Sequence, residues 1–199
     1  MKYSQYTEED FLLDFFKNKS NGFLVDIGAA DGITNSNSRR LILDGWSGIL
    51  IEPNKKNYNK LLDLYLNKNT ILNCGCSYKD EGFLDFYIDN NDEYEQLSTF
   101  NLEQSEFCKN YFNCEFITEQ VEVFKTSVIF EKHNVKKINF LSIDTESFDY
   151  NVILGIDFNT VDIDLICVEH VNQDLINHLE SLRYSICHKT LGNVFFKKI

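Results

Sequence analysis

Acidic side chains recur where apolar runs of strand length end. Four such runs lead directly into an acid, and these acids are Asp26, Glu52, Asp144 and Glu169. In an open α/β sheet the carboxyl ends of the parallel strands meet at one edge, and ligands bind there. His170 follows the last of these acids and adds a group that is able to move protons. The pattern therefore predicts a carboxylate-rich site, with a histidine beside it, at the carboxyl edge of a sheet.

The segment after the first apolar run is rich in small residues. Residues 26–32 read Asp-Ile-Gly-Ala-Ala-Asp-Gly, and polar helix-starting residues follow at 34–38. Glycine lets a ligand approach the backbone closely, and a following helix N-terminus favours polar ligand groups. We therefore interpret 23–32 as a cofactor loop, the alternative being a tight turn that binds nothing.

The spacing of the small residues distinguishes two cofactors. A dinucleotide loop has the pattern G-x-G-x-x-G, and its third glycine is replaced here by Ile33, which would block the close approach of helix and strand. A loop for S-adenosylmethionine is commonly D/E-x-G-x-G-x-G, and the chain departs from it only at Ala30. Glu52 at the tip of the second strand is able to accept hydrogen bonds from a ribose diol, although an acid before a helix also has a favourable interaction with the helix dipole. The loop favours S-adenosylmethionine over NAD.

The order of apolar and amphipathic segments predicts an α/β, Rossmann-like fold. Strands are expected at 23–27, 47–52, 70–74, 138–143 and 163–168, and helices at 7–18, 35–45, 54–65, 126–133, 148–154 and 172–182. This alternation is typical of a mostly parallel sheet with helices on both faces. Segments 184–188 and 194–197 predict a closing hairpin.

The middle of the chain departs from this alternation. Strands are expected at 82–88, 97–100 and 120–124, a polar, mobile loop at 89–96 and a helix at 102–112. An insertion at about 89–120 is expected to cover the mouth of the sheet and to contact the acceptor, with Ser98 and Thr99 in its pocket. No linker interrupts the chain, so we predict a single domain over 1–199.

Composition excludes several classes of partner. The formal net charge of −12 argues against nucleic acid and against anionic membrane surfaces. The six cysteines form no C-x-x-C pair, no signal peptide is visible, and no apolar run is long enough to span a bilayer. We expect a cytoplasmic protein with reduced thiols that acts on a small molecule or glycan.

Four segments carry a family resemblance: residues 25–32, residues 45–53 (Gly-Trp-Ser-Gly-Ile-Leu-Ile-Glu-Pro), Ser98-Thr99 and residues 141–146. Their order and spacing, over about residues 22–170, resemble the FkbM family of S-adenosylmethionine-dependent methyltransferases. The resemblance implies a class I methyltransferase fold, which has seven strands with the last antiparallel. It also implies methylation of hydroxyl groups, often on sugars of glycans, polysaccharides or natural products. The family pattern Asp-x-Glu-Gly-x-Glu departs at Ser147 and Asp149.

These patterns together predict the residues of the site. Cofactor-binding residues are predicted to be Asp26, Gly28, Ala29, Ala30, Asp31, Gly32, Glu52, Pro53, Ser77 and Asp144. Catalytic residues are predicted to be His170, Asp144 and Glu146. Methyl transfer to an alcohol needs in-line positioning and a base near the oxygen, which these side chains would supply.

Each of these roles has an alternative. His170 is also explained as a surface residue of a strand–helix loop. Asp144 and Glu146, with Glu169 or His170, would suit magnesium or calcium, or they would form an acid cluster at a helix N-terminus. For the whole chain the alternatives are a catalytically inactive methyltransferase-like domain that acts as a binding module and an NAD-dependent oxidoreductase.

Overall fold

The computed structural model describes residues 2–90 and 95–199. Its helices are α1 (Glu8–Phe15), α2 (Arg39–Leu43), α3 (Lys55–Tyr65), α4 (Leu102–Phe112), α5 (Thr126–Lys132), α6 (Asp149–Leu154) and α7 (Gln173–Ser181), with a 3₁₀ turn at Glu95–Leu97. Its strands are β1 (Phe23–Ile27), β2 (Ser47–Ile51), β3 (Thr70–Leu72), β4 (Gly75–Ser77), β5 (Gly82–Asp89), β6 (Phe116–Lys125), β7 (Lys137–Ile143), β8 (Asp162–Val168), β9 (Tyr184–Lys189) and β10 (Val194–Lys198).

The main sheet has seven strands in the order β3-β2-β1-β7-β8-β10-β9. β10 runs antiparallel to both of its neighbours, and the other neighbouring pairs are parallel. The predicted Rossmann-like class I methyltransferase fold with its C-terminal antiparallel hairpin is confirmed. β1, β7 and β8 lie in the centre and are buried on both faces, which explains why their sequences are nearly continuous apolar runs.

Helices cover both faces of this sheet, as predicted. Side chains of α1, α2 and α3 form one apolar cluster with the sheet, and those of α5, α6 and α7 form the other. Neighbouring residues of a strand point to opposite faces, so Leu24 belongs to the first cluster and Val25 to the second. Both side chains are fully buried, and burial of such a side chain contributes roughly 1.5–3 kcal/mol. The two clusters fix the strands whose ends carry the predicted acids.

A second, three-stranded sheet has the order β4-β6-β5. β5 pairs antiparallel with β6 along its whole length, and β4 pairs with the end of β6 in parallel. Phe100 packs against Phe86 of β5 at a ring-centroid distance of 4.6 Å. A Cβ at Gly75 would lie 2.7 Å from the Phe100 ring, so this ring packs directly on the β4 backbone. These contacts place residues 96–100, here called the Phe100 segment, on the second sheet, and the Thr99 hydroxyl joins the segment to the Glu146 carbonyl after β7.

The predicted strand at 97–100 is wrong. Leu97 belongs to the 3₁₀ turn, and Thr99 makes only an isolated antiparallel bridge with Tyr87. β4 was not predicted, because Gly-Cys-Ser forms neither an apolar run nor an alternating pattern. Residues 91–94 of the predicted polar loop at 89–96 lie outside the described residues.

The helix predicted over 35–45 begins only at Arg39. Asn35 has a φ of +55°, and the Ser36 hydroxyl accepts a hydrogen bond from the Arg39 N–H at 3.1 Å. Serine and asparagine side chains offer the backbone alternatives to helical hydrogen bonds, and here they produce a loop. Across the two described ranges, no helix is long and apolar enough to cross a membrane.

Candidate functional site

A cavity opens at the carboxyl ends of β1, β2, β7 and β8, with the Phe100 segment on its other side. Its free space amounts to about 1200 Å³, which includes space open to solvent. Predicted site residues in its wall are Asp26, Gly28, Ala29, Ala30, Glu52, Pro53, Ser98, Asp144, Glu146 and Glu169. The fold therefore brings acids from four separate strand ends to one cavity.

The loop after β1 turns sharply into this cavity. Gly28 has a φ of +83° and Ala30 a φ of +46°, both in the left-handed region that favours glycine. A Cβ at position 28 would lie 1.8 Å from the carbonyl oxygen of Asp144, so only glycine fits beside β7. The N–H of Ala30 points toward β2, where it donates to Glu52 Oε2 at 2.8 Å.

Glu52 holds two backbone segments through its carboxylate. Oε2 accepts from the Ala30 N–H, and Oε1 accepts from the Asn54 N–H at 2.7 Å, at the start of α3. Each carboxylate oxygen has a second lone-pair site, so Glu52 retains acceptors for a ligand in the cavity. Burial raises the pKa of Glu52 to about 7. The two backbone hydrogen bonds oppose this rise, and the nearby charges of Asp26 and Asp31 add to it.

Asp26 ties the start of the loop to its surroundings. Its Oδ2 accepts from the Ser38 hydroxyl at 2.5 Å, just before α2. Burial raises the pKa of Asp26 to about 6, and hydrogen bonds from Ser38 and Ser142 of β7 oppose the rise. The neighbouring Asn37 also lines the cavity, and its buried Oδ1 has no hydrogen-bond partner within the described ranges.

The free energy of unfolding is expected to fall as the pH rises from about 4.5 to about 7, by on the order of 3 kcal/mol for Glu52. The pKa of Glu52 rises from 4.5 to about 7 on folding, so the folded state holds a proton that the unfolded chain has released. That stabilisation is fully present below the unfolded pKa and is lost as the pH rises through the folded pKa. Urea unfolding at about pH 4.5 and about pH 8 measures the loss. The Glu52→Gln variant should lose less between these two pH values, and an equal loss would contradict the assignment.

The far end of the cavity carries three carboxylates: Asp144, Glu146 and Glu169. Asp144 follows β7, and its N–H donates to the Ile27 carbonyl at 3.0 Å, which fixes it beside the loop after β1. Glu146 has a φ of +51°, and its carbonyl accepts from the Thr99 hydroxyl at 2.7 Å. Residues of the Phe100 segment therefore hold Glu146 in place.

These acids and His170 change one another's pKa values. The Nδ1 of His170 lies 2.9 Å from Glu169 Oε2, and this interaction raises the pKa of His170 to about 9. Burial opposes the ionisation of Glu169, but hydrogen bonds from His170 and Asp144 outweigh it and hold its pKa below the usual value. Burial and the charge of Glu169 raise the pKa of Glu146 to about 8 and raise that of Asp144 well above its ordinary value. His170 is therefore a cation at neutral pH while it is paired with Glu169.

The sequence profile of the FkbM methyltransferase domain matches residues 26–186, which is most of the chain. The chain belongs to this family. Membership supports S-adenosylmethionine-dependent methylation as the activity of this FkbM-family protein.

Two solved structures are similar to this FkbM-family protein. A protein from Pyrococcus horikoshii described as a "putative RNA methyltransferase" is 12% identical, with a TM-score of 0.46 over 97% of this chain and 83% of its own. A protein from Escherichia coli described as a "putative methyltransferase" is 12% identical, with a TM-score of 0.49 over 100% of this chain and 89% of its own. No curated protein sequence matches the chain. The strand order of the main sheet defines the fold independently of these likenesses.

Some predicted site residues of the FkbM-family protein do not line the cavity. They are Asp31, Gly32, Ser77, Thr99 and His170. The Asp31 carboxylate accepts from two N–H groups of its own turn, and the Gly32 carbonyl accepts from Tyr65. The buried hydroxyl of Ser77 donates to Glu81. These side chains support the elements around the cavity, and His170 stands behind Glu169.

Other lining residues were not named as site residues from the sequence. They are Gln5, Ile27, Thr34, Asn35, Ser36, Asn37, Ile51, Asn57, Cys74, Gly75, Cys76, Phe86, Gln96, Leu97, Phe100, Ser142, Thr145, Phe148 and Asn193. Gln96, Leu97 and Phe100 belong to the insertion at about 89–120 that was expected to contact the acceptor. The polar run 34–37 carried a usable signal, since four polar residues directly after a glycine loop suit ligand contact as well as a helix start. Asn193 gave no signal in the sequence, because its position depends on a contact between the two ends of the chain. Its side-chain amide donates a hydrogen bond to Glu8 at 3.2 Å.

Proposed function

We propose that this protein transfers the methyl group of S-adenosylmethionine to a hydroxyl group of a sugar or glycan. The observation that carries the proposal is one continuous cavity with the Glu52 carboxylate at the end of β2 on one side and the acids Asp144, Glu146 and Glu169 near the ends of β7 and β8 on the other. The loop from Gly28 to Ala30 lies between the two ends.

The residues at the first end fit S-adenosylmethionine. Glu52 has free lone-pair sites for the ribose hydroxyls and is itself held by two backbone N–H groups. The unpartnered Oδ1 of Asn37 is an acceptor for the ammonium group of the methionine portion. Gly28 lets the loop lie close to β7, so a cofactor seated there reaches toward Asp144.

The acids at the other end suit an alcohol acceptor. When bound, S-adenosylmethionine supplies a sulfonium methyl group whose C–S bond breaks as the new C–O bond forms. Asp144 is placed to receive the hydroxyl proton while the proton that it shares with Glu169 passes to that carboxylate, because it lines the cavity and its backbone is fixed beside the cofactor loop. His170, which is paired with Glu169, orients that carboxylate and is not the base.

The acceptor wall combines rings with polar groups. Phe86, Phe100 and Phe148 line the cavity together with Gln96 and Ser98. An apolar ring face edged by hydrogen-bonding groups suits a sugar, which presents both kinds of surface. The net charge of −12 disfavours polyanionic acceptors such as nucleic acid.

A methyl-transfer assay tests the reaction class. Methyl-labelled S-adenosylmethionine is incubated with the protein and neutral saccharides, amines or RNA as separate acceptors. Labelled methyl ether on a saccharide, absent with the Asp144→Asn variant, is expected. Transfer to amines or RNA but to no saccharide would contradict the proposal.

Glu52→Ala is expected to weaken binding of S-adenosylhomocysteine by about 10- to 100-fold, the equivalent of two hydrogen bonds of roughly 0.7–1.4 kcal/mol each. The variant also releases the Ala30 N–H, so a loss of affinity alone does not assign the ribose role. A cofactor analogue that lacks both ribose hydroxyls separates the two effects by calorimetry. The substitution should change the affinity for this analogue less than it changes the affinity for S-adenosylhomocysteine. An equal penalty for both ligands would refute the ribose contact.

A catalytically inactive binding module is the second candidate. Ser147 has a φ of +72° at a position where the family pattern has glycine, so the loop that presents Glu146 is strained. Calorimetry with S-adenosylmethionine decides between the two, since an inactive module that has lost its cofactor shows no binding at millimolar concentration.

A further inference from the structure

We propose that Glu146, Glu169 and His170 bind a divalent transition-metal ion at the acceptor end of the cavity, with Asp149 behind them. One carboxylate oxygen of each glutamate and one ring nitrogen of His170 lie within 4.8 Å of one another. Ligands on opposite sides of a cation, with bonds of about 2.2 Å, are about 4.4 Å apart. Small side-chain movements therefore bring all three atoms to one ion, which displaces a proton of His170 into solvent because only a neutral imidazole binds a metal.

Asp149 provides an independent observation. It is 1% exposed, and neither carboxylate oxygen has a hydrogen-bond partner of normal geometry in the part of the chain that the structure describes. Its Oδ2 lies 3.9 Å from His170 Nδ1, so it faces the cluster. A buried carboxylate without partners is costly, and a cation held by the three ligands would offset that cost.

Carboxyl groups outnumber cationic side chains around the cluster. Four carboxylates meet here, those of Asp144, Glu146, Asp149 and Glu169, and their electrostatic interactions connect them. Within the described ranges, His170 is the only cationic side chain at ion-pair distance from any of them. A divalent cation would hold these carboxylates together at a place where the described residues offer no lysine or arginine.

The donor atoms indicate the kind of metal. Magnesium and calcium prefer sets made of oxygen alone, whereas imidazole nitrogen favours transition metals. Two carboxylates and one imidazole leave open positions on an octahedral ion such as Mn²⁺. If the proposed function holds, an acceptor hydroxyl would occupy one of these positions, and the cation would lower its pKa so that Asp144 takes the proton more readily.

A titration with Mn²⁺, followed by electron paramagnetic resonance of the free ion, tests the site in the metal-stripped full-length protein. We expect one saturable site in the wild type and at least a tenfold weaker affinity in both Glu146→Gln and His170→Gln. His133→Gln, at the end of α5 and outside the cluster, is the matched control and should bind as the wild type does.

Absence of saturable binding, or equal affinity in the cluster variants and the control, would overturn the site. His170 is partly exposed, so its variant keeps the test decisive even if Glu146→Gln fails to fold. The titration contains neither cofactor nor acceptor. A protein that methylates saccharides without binding Mn²⁺ therefore refutes only the metal site, and one that binds Mn²⁺ without methylating refutes only the proposed function.

Discussion

Gly28→Ala is expected to lower the free energy of unfolding by about 3–5 kcal/mol and to abolish cofactor binding. The new Cβ would lie 1.8 Å from the backbone carbonyl oxygen of Asp144, at a contact between the ends of β1 and β7. A backbone oxygen directly after a central strand has no rotamer through which to move away. The left-handed φ of +83° adds roughly 1–2 kcal/mol of strain for a residue with a side chain.

Gly82→Ala is the matched control for this change. Gly82 also has a positive φ, +70°, but a Cβ there would meet nothing within 4 Å. Urea unfolding of the two variants therefore separates the backbone strain from the collision, with roughly 1–2 kcal/mol expected for Gly82→Ala alone. An equal fall in the free energy of unfolding of the two variants would contradict this account. It would mean that β1 and β7 move apart to accept the new methyl group and that the loop does not require their close contact.

Local patterns were sufficient to locate Asp26, Glu52 and Asp144. In each case the apolar run and the acid are adjacent in the chain, so the end of the strand fixes where the acid lies. The alternation of strands and helices predicts a parallel sheet. In such a sheet the carboxyl ends of the strands lie at one edge, which brings the three acids together. This part of the site is encoded over short stretches of sequence.

Contacts between distant segments decided the rest. The hydroxyl of Thr99 donates to the Glu146 carbonyl, and the Gln96 amide donates to the Thr34 carbonyl at 2.7 Å. Neither contact leaves a periodic signal, because each depends on how the segment from Gln96 to Phe100 packs against the main sheet. The role of Asp149 was hidden for the same reason, since a buried carboxylate at the start of α6 has the same sequence pattern as an ordinary helix N-terminus.

This packing links the two ends of the cavity. Gln96 also accepts a hydrogen bond from Asn35 at 3.0 Å, so the segment that positions Glu146 through Thr99 is joined to the loop beside the cofactor residues. The chemistry itself is expected to depend most strongly on Asp144, which contacts the cofactor loop and also lines the acceptor end.

Asp144→Asn is expected to lower the rate of methyl transfer by about 10²- to 10⁴-fold, the contribution of a positioned general base. Asparagine has nearly the same shape but cannot take the hydroxyl proton. The backbone contacts of residue 144, its N–H to the Ile27 carbonyl and its carbonyl beside Gly28, do not involve the side chain. Affinity for S-adenosylhomocysteine should therefore change by only a few-fold while the single-turnover rate falls.

The control for Asp144→Asn is Asp174→Asn, an exposed acid in the first turn of α7. Its rate should match that of the wild type, because position 174 lies outside the cavity wall. A rate for Asp144→Asn within a few-fold of the wild type would remove Asp144 as the base and leave Glu146 as the other predicted catalytic acid in the cavity wall. If affinity for S-adenosylhomocysteine falls as much as the rate, Asp144 holds the cofactor and does not move the proton, because a base acts on the transition state and not on product binding.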